Sequence, residues 1–524
     1  MGSQSQLALP ETRSVRRRLA QGEVQGSQQG KCSTFLGIPY GKPAAGLLGF
    51  RPPVPASAWQ GSHNAHAYGH ACPQANNDLP AWQFAGHHST DCLNLNIWVP
   101  AQAKPGDALP VMVWLHGGSF LSGSANLPLY DGQQLASEQQ LVVVSINHRL
   151  NIFGYLHLAA LDACHAQIAN IGQQDILLAL EWIAKNIHEF GGNPENITLF
   201  GESGGGGKIC ALMMMPAANG LFHKAIIQSG TFCRTLSLIQ ARERAETALS
   251  LLGIEKSLFC TKDLLDQLSQ LEINQLLITV EELVQQYGHT AFWPVDDGVI
   301  LNSRNLFTAP VPLLIGTTRD EAAYFLDPQQ LKQDMRTVDE YTEMLRKSLK
   351  PFSIGADDTQ QAIDMALRVH ASKSGNLTQD LTDLLFWLPA MALADQNSQH
   401  TATYMYRFDW TFACFGGHYA IHAADIPFVF GCLDYPQPAW DLQDLPSIRY
   451  LDDLKSQRFT LALCVQQAWS SFARDGAPSF YQHISWPRYT KKNRYTMIFD
   501  KTCQVELDPE SARRHRWLDA LLPT

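Results

Sequence analysis

The sequence predicts an α/β fold with a mainly parallel central sheet and helices on both of its faces. Two observations support this class: short apolar runs of strand length alternate with segments of helical spacing, and one predicted strand leads straight into a glycine-rich turn. The chain has 524 residues, of which 45% are hydrophobic and 17% charged. This composition is ordinary for a globular protein with a large core.

The strands and the helices can be assigned in chain order. The runs "VMVWL" (111–115) and "LVVVSI" (141–146) predict buried strands, and the segment from Ile176 to Ile187 has helical spacing that ends at Gly191. Further predicted strands are "ITLF" (197–200), "VPLLIG" (311–316), "TYMYRF" (403–408) and "YTMIF" (495–499). The segment from about 325 to 400 is mostly helical in pattern and predicts an excursion from the sheet.

We expect one domain over residues 22–524, preceded by a flexible tail over residues 1–21 that contains four arginines. The net charge of −10 gives no general attraction to nucleic acid or to anionic membranes. The chain shows neither a signal peptide nor an apolar run of membrane-spanning length, and its eleven cysteines are an odd number without dense spacing. These features predict a cytoplasmic, mostly reduced protein without nucleic-acid or membrane partners, either a monomer or a dimer.

The stretch "GESGGGGK" (201–208) places Ser203 among five glycines directly after a predicted strand. A strand that enters G-x-S-x-G and continues as a helix is typical of a nucleophile elbow, in which the serine backbone is strained and its neighbours must be small. Gly201 and Gly205 occupy the two required positions. Gly206 and Gly207 are not required, and they fit either close packing or extra room beside an acyl group.

A serine nucleophile of this kind needs backbone N–H groups aimed at the oxyanion that forms during the reaction. The segment "WLHGGSFLSG" (114–123) follows a predicted strand and offers Gly117 and Gly118, whose lack of side chains permits close approach. The residue after the nucleophile, Gly204, supplies the third predicted N–H group. Gly117, Gly118 and Gly204 are therefore the predicted oxyanion hole.

Over roughly residues 22–518 the sequence resembles the type-B carboxylesterase and cholinesterase-like family, and among its branches the bacterial para-nitrobenzyl esterases. The matching motifs are "FLGIPYGKP" (35–43), "STDCLNLNIWVP" (89–100), "VVVSINHRLNIFGYL" (142–156), "FGGNPENITLFGESGG" (190–205), "GTTRDE" (316–321) and "SFARDGAP" (471–478). The resemblance implies an α/β-hydrolase fold. It also implies hydrolysis of short to medium acyl esters through an acyl-enzyme, with a small-molecule ester as the partner and with no metal or organic cofactor.

The resemblance also implies the two remaining catalytic residues. The family's acid ends "GTTRDE" and corresponds to Glu321, and its histidine precedes "AADIPFVFG", which makes it His422. The order Ser203, Glu321, His422 is that of α/β-hydrolases. Asp320 and His418 are the neighbouring rivals, but the family uses the second acid, and only His422 keeps the spacing to the acid of that run.

Other activities on the same fold remain open: a cholinesterase-like enzyme, an amide hydrolase, a true lipase or a non-catalytic binding protein. Trp82 and Glu202 stand where cholinesterases bind a cation, although Trp82 also fits a simple wall residue. A non-catalytic relative would have lost triad residues, and all three are present here. His63, His66 and His70 lack the nearby acids or cysteines of a metal site, so no metal is expected.

The sequence departs from the family pattern at two places. The family usually has alanine at Gly204 and often at Gly206, so the site is expected to be looser. Gly49 and Thr90 replace both partners of a family ion pair, and the loss of both partners can be nearly neutral. Finally, the resemblance implies a disulfide between Cys72 and Cys92, whose sulfurs we expect to be adjacent and able to bond in oxidised preparations.

Overall fold

The computed structural model describes residues 12–75, 87–230, 234–327, 330–331, 337–353, 356–370, 375–414, 417–433, 453, 455–480 and 484–521. Its strands are β1 (Arg13–Leu19), β2 (Gly22–Gln29), β3 (Cys32–Pro39), β4 (Ser62–Asn64), β5 (Asn94–Pro100), β6 (Leu109–Leu115), β7 (Val142–Ile146), β8 (Gly192–Glu202), β9 (Lys224–Gln228), β10 (Leu313–Thr318), β11 (Thr403–Phe408), β12 (Phe412–Cys414), β13 (Gly417–Tyr419), β14 (Tyr495–Phe499) and β15 (Gln504–Leu507).

One large sheet runs through the molecule in the order β1-β2-β3-β5-β7-β6-β8-β9-β10-β11-β14-β15, with β4 paired to β2. The neighbours from β7 to β14 are all parallel, whereas β1, β2, β3, β5 and β15 pair antiparallel at the two ends of the sheet. Parallel neighbours require crossover connections, and helices supply them. The predicted α/β-hydrolase fold is therefore confirmed.

The helices flank this sheet and follow its strands along the chain. They are α1 (Gln133–Gln139), α2 (Asn151–Tyr155), α3 (Ile171–Asn186), α4 (Gly204–Met213), α5 (Leu238–Leu251), α6 (Asp263–Leu268), α7 (Ile273–Tyr287), α8 (Val338–Leu349), α9 (Ala356–Val369), α10 (Leu377–Thr382), α11 (Leu388–Asn397), α12 (Ile426–Phe430), α13 (Gln457–Asp475) and α14 (Ser511–Leu521). Helices α8–α11 form the predicted excursion between β10 and β11. In the described parts of the chain, no helix combines the length and the apolarity that crossing a membrane would need.

The central strands separate two apolar cores, one on each face of the sheet. In β6, Val111 and Val113 contribute to one core, while Met112 and Trp114 contribute to the other. Successive side chains of a strand point to opposite faces, so a strand buried on both faces needs a continuous apolar run. This requirement explains why "VMVWL" and the other apolar runs were recognisable as strands from sequence.

We expected residues 1–21 to form a flexible tail. This expectation is wrong for residues 12–21, the part of that segment that the structure describes. Arg13–Leu19 form β1, which pairs with β2 throughout its length. The side chains alternate: Leu19 is buried, and the guanidinium of Arg17 lies over the ring of Phe35 and donates to the Ala103 carbonyl. Long arginine stems can cover apolar surface while their charges stay solvated, so an arginine-rich segment can still form an edge strand.

Candidate active site

Ser203 lies at the junction between β8 and α4, in the strained turn that the sequence predicted. Its φ of 54° and ψ of −123° are unusual for a residue with a side chain. A Cβ atom on Gly205 would overlap the Leu115 carbonyl oxygen, so the turn passes too close to β6 for any larger residue. The backbone N–H of Ser203 donates to the Gln228 carbonyl at 2.9 Å, which fixes the turn against β9.

His422 and Glu321 meet directly at the carboxyl end of the parallel strands. Nδ1 of His422 lies 2.6 Å from Oε2 of Glu321, whose side chain is fully buried. The other carboxylate oxygen of Glu321 accepts a hydrogen bond from the Thr318 backbone N–H at 2.7 Å. The acid is therefore held in place by β10, from which its loop departs, while it orients the imidazole.

The two rival residues are placed differently. Asp320 pairs with Arg319 at 2.8 Å and accepts the backbone N–H of Ala420 at 2.9 Å. His418 is an exposed residue of β13, where it pairs across the short hairpin with Ala413. The arrangement of both residues supports the assignment of Glu321 and His422.

Glu202 is the unexpected neighbour of the histidine. Its Oε1 lies 3.1 Å from Nε2 of His422, on the opposite side of the ring from Glu321. The sequence suggested Glu202 only as a candidate cation-binding residue. Trp82, its suggested partner, lies outside the described residues, so a cation site formed by the two stays a prediction.

Two carboxylates around one imidazole change the proton affinity of the group. Burial opposes protonation of His422, but Glu202 and Glu321 outweigh it and raise the pKa of His422 to about 9. Burial raises the pKa of Glu202 to about 8, against the attraction of the imidazolium. Glu202 and His422 therefore titrate as a coupled pair, and the carboxylate of Glu202 favours the protonated form of the imidazole.

A third buried carboxylate, that of Asp425, is linked to the turn of Ser203 through Gln228. Asp425 accepts hydrogen bonds from the Tyr406 hydroxyl at 2.8 Å and from Nε2 of Gln228 at 3.0 Å. Gln228 also accepts a hydrogen bond from Nε1 of Trp469 at 3.1 Å, and its backbone carbonyl receives the N–H of Ser203. Burial raises the pKa of Asp425 to about 6 despite these hydrogen bonds. Asp425 is the acid of the run "AADIPFVFG" that follows His422, but its hydrogen-bond partners come from distant segments and were not predictable from the sequence.

The predicted oxyanion loop borders the same cavity as Ser203. A Cβ atom on Gly117 would lie 3.0 Å from Oε2 of Glu202, and Gly118 has a φ of +85° that side chains rarely adopt. The loop continues through Ser119, a lining residue that the sequence analysis did not include. Gly117 and Gly118 therefore lie where close backbone approach was expected.

The expectation of a looser site at Gly204 is wrong. A Cβ atom on Gly204 would overlap the backbone of Ser119, which shows that the loop has closed into the space that an alanine methyl would fill. At Gly206, a Cβ atom would lie 2.8 Å from Cα of Gly230. This contact favours the close-packing interpretation of Gly206 over extra room beside an acyl group.

The cavity at these residues is mostly apolar and has a volume of about 250 Å³. It is lined by Gly117, Gly118, Ser119, Leu121, Ser122, Gly123, Leu127, Leu129, Tyr130, Glu202, Ser203, His289, Trp293, Tyr324, Phe325, Phe352, His422, Ala423 and Ile426. The ring of His422 lies 5.1 Å from that of Phe325 and 5.9 Å from that of Tyr324, between centroids. Apolar walls with few polar groups are typical of pockets for small organic ligands.

The remaining sequence predictions concern cysteines and metals. Cys72 and Cys92 are buried free thiols whose side chains hydrogen-bond to each other, so the two are adjacent and the disulfide stays a prediction. His66 bonds to the Ser27 hydroxyl at 2.7 Å rather than to other ligating groups. Within the described ranges, the structure holds no group of three or more side chains that could bind a metal ion.

This sheet topology, with a strained serine between a central strand and a helix, defines an α/β-hydrolase that uses a serine. The family comparison specifies the class further. The model of the carboxylesterase family matches residues 13–517, and the chain belongs to this family. It is a serine carboxylesterase, an enzyme that hydrolyses carboxylic esters.

Known carboxylesterases and esterases are similar to this protein along nearly the whole chain. The para-nitrobenzyl esterase of Bacillus subtilis (strain 168) is 36% identical over 506 residues, which cover 94% of this chain and 96% of that protein. The liver carboxylesterase of Sus scrofa is 31% identical over 507 residues, covering 89% and 85%. A solved para-nitrobenzyl esterase structure superposes with a TM-score of 0.81 at 36% identity, covering 97% of this chain and 99% of that one.

Proposed function

We propose that Ser203, His422 and Glu321 form the catalytic triad of this carboxylesterase. The observation that carries the proposal is the 2.6 Å contact between His422 and Glu321 at the cavity that Ser203 lines. An imidazole held by a carboxylate on Nδ1 presents its other nitrogen as a base, which a serine nucleophile requires.

In this proposal His422 takes the proton of Ser203 while the serine oxygen attacks the ester carbonyl. Glu321 orients the imidazole and stabilises the imidazolium that forms. The backbone N–H groups of Gly117, Gly118 and Gly204 donate to the oxyanion of the tetrahedral intermediate. His422 then protonates the departing alcohol, which leaves an acyl-enzyme, and activates the water that releases the acid.

Soluble esters with short to medium acyl chains are the proposed substrates. The apolar cavity of about 250 Å³ supports this class, since it favours a compact ester over an extended lipid chain. The names of the relatives, para-nitrobenzyl esterase and liver carboxylesterase, agree with small-molecule substrates. We expect turnover of para-nitrophenyl butyrate to exceed that of the palmitate ester, whereas strong activation at an oil–water interface would contradict this range. Cytoplasmic location and a monomeric or dimeric state stay predictions from sequence.

The triad is tested by the release of coloured alcohol from para-nitrophenyl butyrate. Ser203→Ala and His422→Ala should each reduce kcat by at least ~10³-fold, because removal of either member disables the serine nucleophile. His418→Ala is the matched control, since it removes an exposed histidine four residues away, and it should change kcat little. Loss of activity in the control and retention in His422→Ala would reassign the base. No release of alcohol from any activated ester by the unmodified chain would contradict catalysis altogether.

A further inference from the structure

A buried acid outside the proposed triad, Asp383, lies in an irregular turn of the helical excursion. The backbone over Asp383–Trp387 forms one π-helical turn between α10 and α11, in which the N–H of Leu388 donates to the carbonyl of Asp383. Pro389 follows directly and has no N–H to donate, so a regular α-helical ladder cannot run unbroken through this point. Such turns are frequent at functional sites.

One face of this stretch meets the proposed acid and base. The ring of Phe386, which is fully buried, lies 5.0 Å from that of His422, between centroids. Four residues earlier, the hydroxyl of Thr382 accepts a hydrogen bond from the backbone N–H of Ala322 at 3.1 Å. Ala322 directly follows Glu321, so Thr382 holds the segment that carries the acid. The base and the acid are therefore both supported by one short stretch of chain.

The neighbouring face of the same stretch is anchored by the C-terminal helix α14. The carboxylate of Asp383 accepts a hydrogen bond from Nε1 of Trp517 at 2.8 Å, and Arg513 pairs with it at 3.3 Å. The guanidinium of Arg513 also lies 4.6 Å from the ring centre of Trp387, where it gains a cation–π attraction. Asp383 and Trp517 are both fully buried. A buried carboxylate is costly unless it is paired and hydrogen-bonded, so the turn depends on α14.

We propose that the π-helical turn is a positioning element for the proposed acid and base, and that the hydrogen bond between Trp517 and Asp383 sets its place. Neither of these two side chains borders the cavity, so they act through the turn. Protein interiors are close-packed and transmit strain, so a displaced turn would move the ring of Phe386 against the imidazole of His422. This inference rests on the proposed triad, and Asp383 and Trp517 are its positioning residues.

Trp517→Phe removes the N–H donor but keeps an aromatic ring in the core. We expect kcat on para-nitrophenyl butyrate to fall about 10-fold while KM changes little, because a 1 Å misplacement can cost on the order of 10²-fold and this displacement should be smaller. Trp59→Phe is the matched control. Nε1 of Trp59 donates to the carbonyl of Glu23 at 2.8 Å, near the β1 end of the sheet, and its loss should leave kcat unchanged.

The proton between His422 and Glu321 reports their geometry without any assay of activity. A short hydrogen bond to a carboxylate deshields the Nδ1 proton, so it should resonate downfield of the amide protons and be absent from His422→Ala. At one fixed pH, we expect Trp517→Phe to move this resonance upfield and Trp59→Phe to leave it in place. A merely structural role of Trp517 would lower the melting temperature without moving the resonance.

Thr382→Val tests the other side of the element at nearly constant volume. It leaves the N–H of Ala322 without its acceptor, so kcat should fall and the resonance should move here too. Because both variants act through one element, the double variant with Trp517→Phe should lose less than the product of the two single losses. Losses that multiply would show that α14 and Thr382 act independently, and they would overturn the proposal.

A further variant keeps the test decisive if Trp517→Phe does not fold. Asp383→Asn retains an acceptor for Trp517 but removes the charge that pairs with Arg513, and it should show the same two changes. Unchanged kcat with an unmoved resonance, in whichever of these variants folds, would overturn the proposal. Retained activity in His422→Ala would instead contradict the triad itself, so the two failures are distinguishable.

Discussion

Nε2 of His422 lies 3.1 Å from Oε1 of Glu202 while its Nδ1 bonds to Glu321. The imidazole is thus enclosed by two carboxylates, one on each ring nitrogen. The second carboxylate raises the basicity of the ring beyond what the acid of the triad supplies. The pH dependence of the enzyme should therefore depend on a residue outside the triad.

Replacing Glu202 with Gln tests this relationship. His422 must be neutral to act as a base, so kcat/KM rises as the pH passes upward through its pKa. Glu202 raises the pKa of His422, hence its removal lowers that pKa and should move the acidic limb of the kcat/KM profile to lower pH. Glu195→Gln, an exposed position at the other end of β8, is the control and should leave the limb in place. If the acidic limb of the kcat/KM profile stays in place in Glu202→Gln, the carboxylate of Glu202 does not set the pKa of His422.

Glu321 and Asp320 differ by one position but have different partners. Glu321→Gln weakens the bond to His422 and should lower kcat on para-nitrophenyl butyrate strongly. Asp320→Asn removes the charge that pairs with Arg319 and weakens the hydrogen bond from the Ala420 backbone, so its effect should be milder. The reverse order of the two effects would assign the acid to Asp320.

The elbow and most central strands were predictable because each depends on local sequence. The run "TYMYRF" coincides with β11, and G-x-S-x-G identifies Ser203 because its turn tolerates only small neighbours. In contrast, the antiparallel strands β1, β2 and β3 lack the apolar run of a strand buried on both faces. The prediction of a flexible tail was wrong for this reason. The arginines of Arg13–Leu19 suggested a solvated charged segment, but alternate side chains of this strand cover the edge of the sheet.

Contacts between segments that are distant in the chain could not be predicted from local sequence patterns. Glu202 and His422 are more than two hundred positions apart, and only the fold places their side chains 3.1 Å from each other. Lys208 resembles any polar residue of a helix, since its burial depends on the packing of α4 against the loop after β6. Ser119 was missed because its contribution is made by its backbone.

The closure of the loop onto Gly204 predicts a specific cost for a methyl group there. In Gly204→Ala the new Cβ must displace the Ser119 backbone, which should disturb the oxyanion donors and lower kcat at least ~10-fold, since the loss of one donor costs 10²–10³-fold. Gly206→Ala is the comparison, because its Cβ meets Gly230 instead of the loop and should lower the melting temperature more than kcat. Equal kcat for Gly204→Ala and the unmodified enzyme would contradict this prediction, because it would show that the Ser119 loop can move away from the methyl group without disturbing the oxyanion donors.

The buried ion pair between Arg149 and Asp175 should contribute strongly to stability. Arg149 and Asp175 meet at 2.6 Å with both side chains inaccessible, and the same guanidinium donates to the carbonyls of Leu48, Gly49 and Arg51. Arg149→Met leaves the carboxylate buried and unpaired, so the free energy of unfolding should fall by about 3–5 kcal/mol in urea denaturation. Lys31→Ala, which removes an exposed pair with Glu138, should change it by less than about 1 kcal/mol. Similar losses for both variants would contradict this account.

Covalent labelling with a fluorophosphonate tests the identity of the nucleophile most directly. Cleavage after Lys185 and Lys208 yields the peptide 186–208, in which Ser203 is the only serine. The account predicts one phosphonate on this peptide, loss of esterase activity in proportion to labelling, and no labelling in Ser203→Ala. Ser119 and Ser122 line the same cavity and are the natural competitors. A phosphonate on either of them, or stoichiometric labelling of Ser203→Ala, would contradict the assignment of Ser203 as the nucleophile.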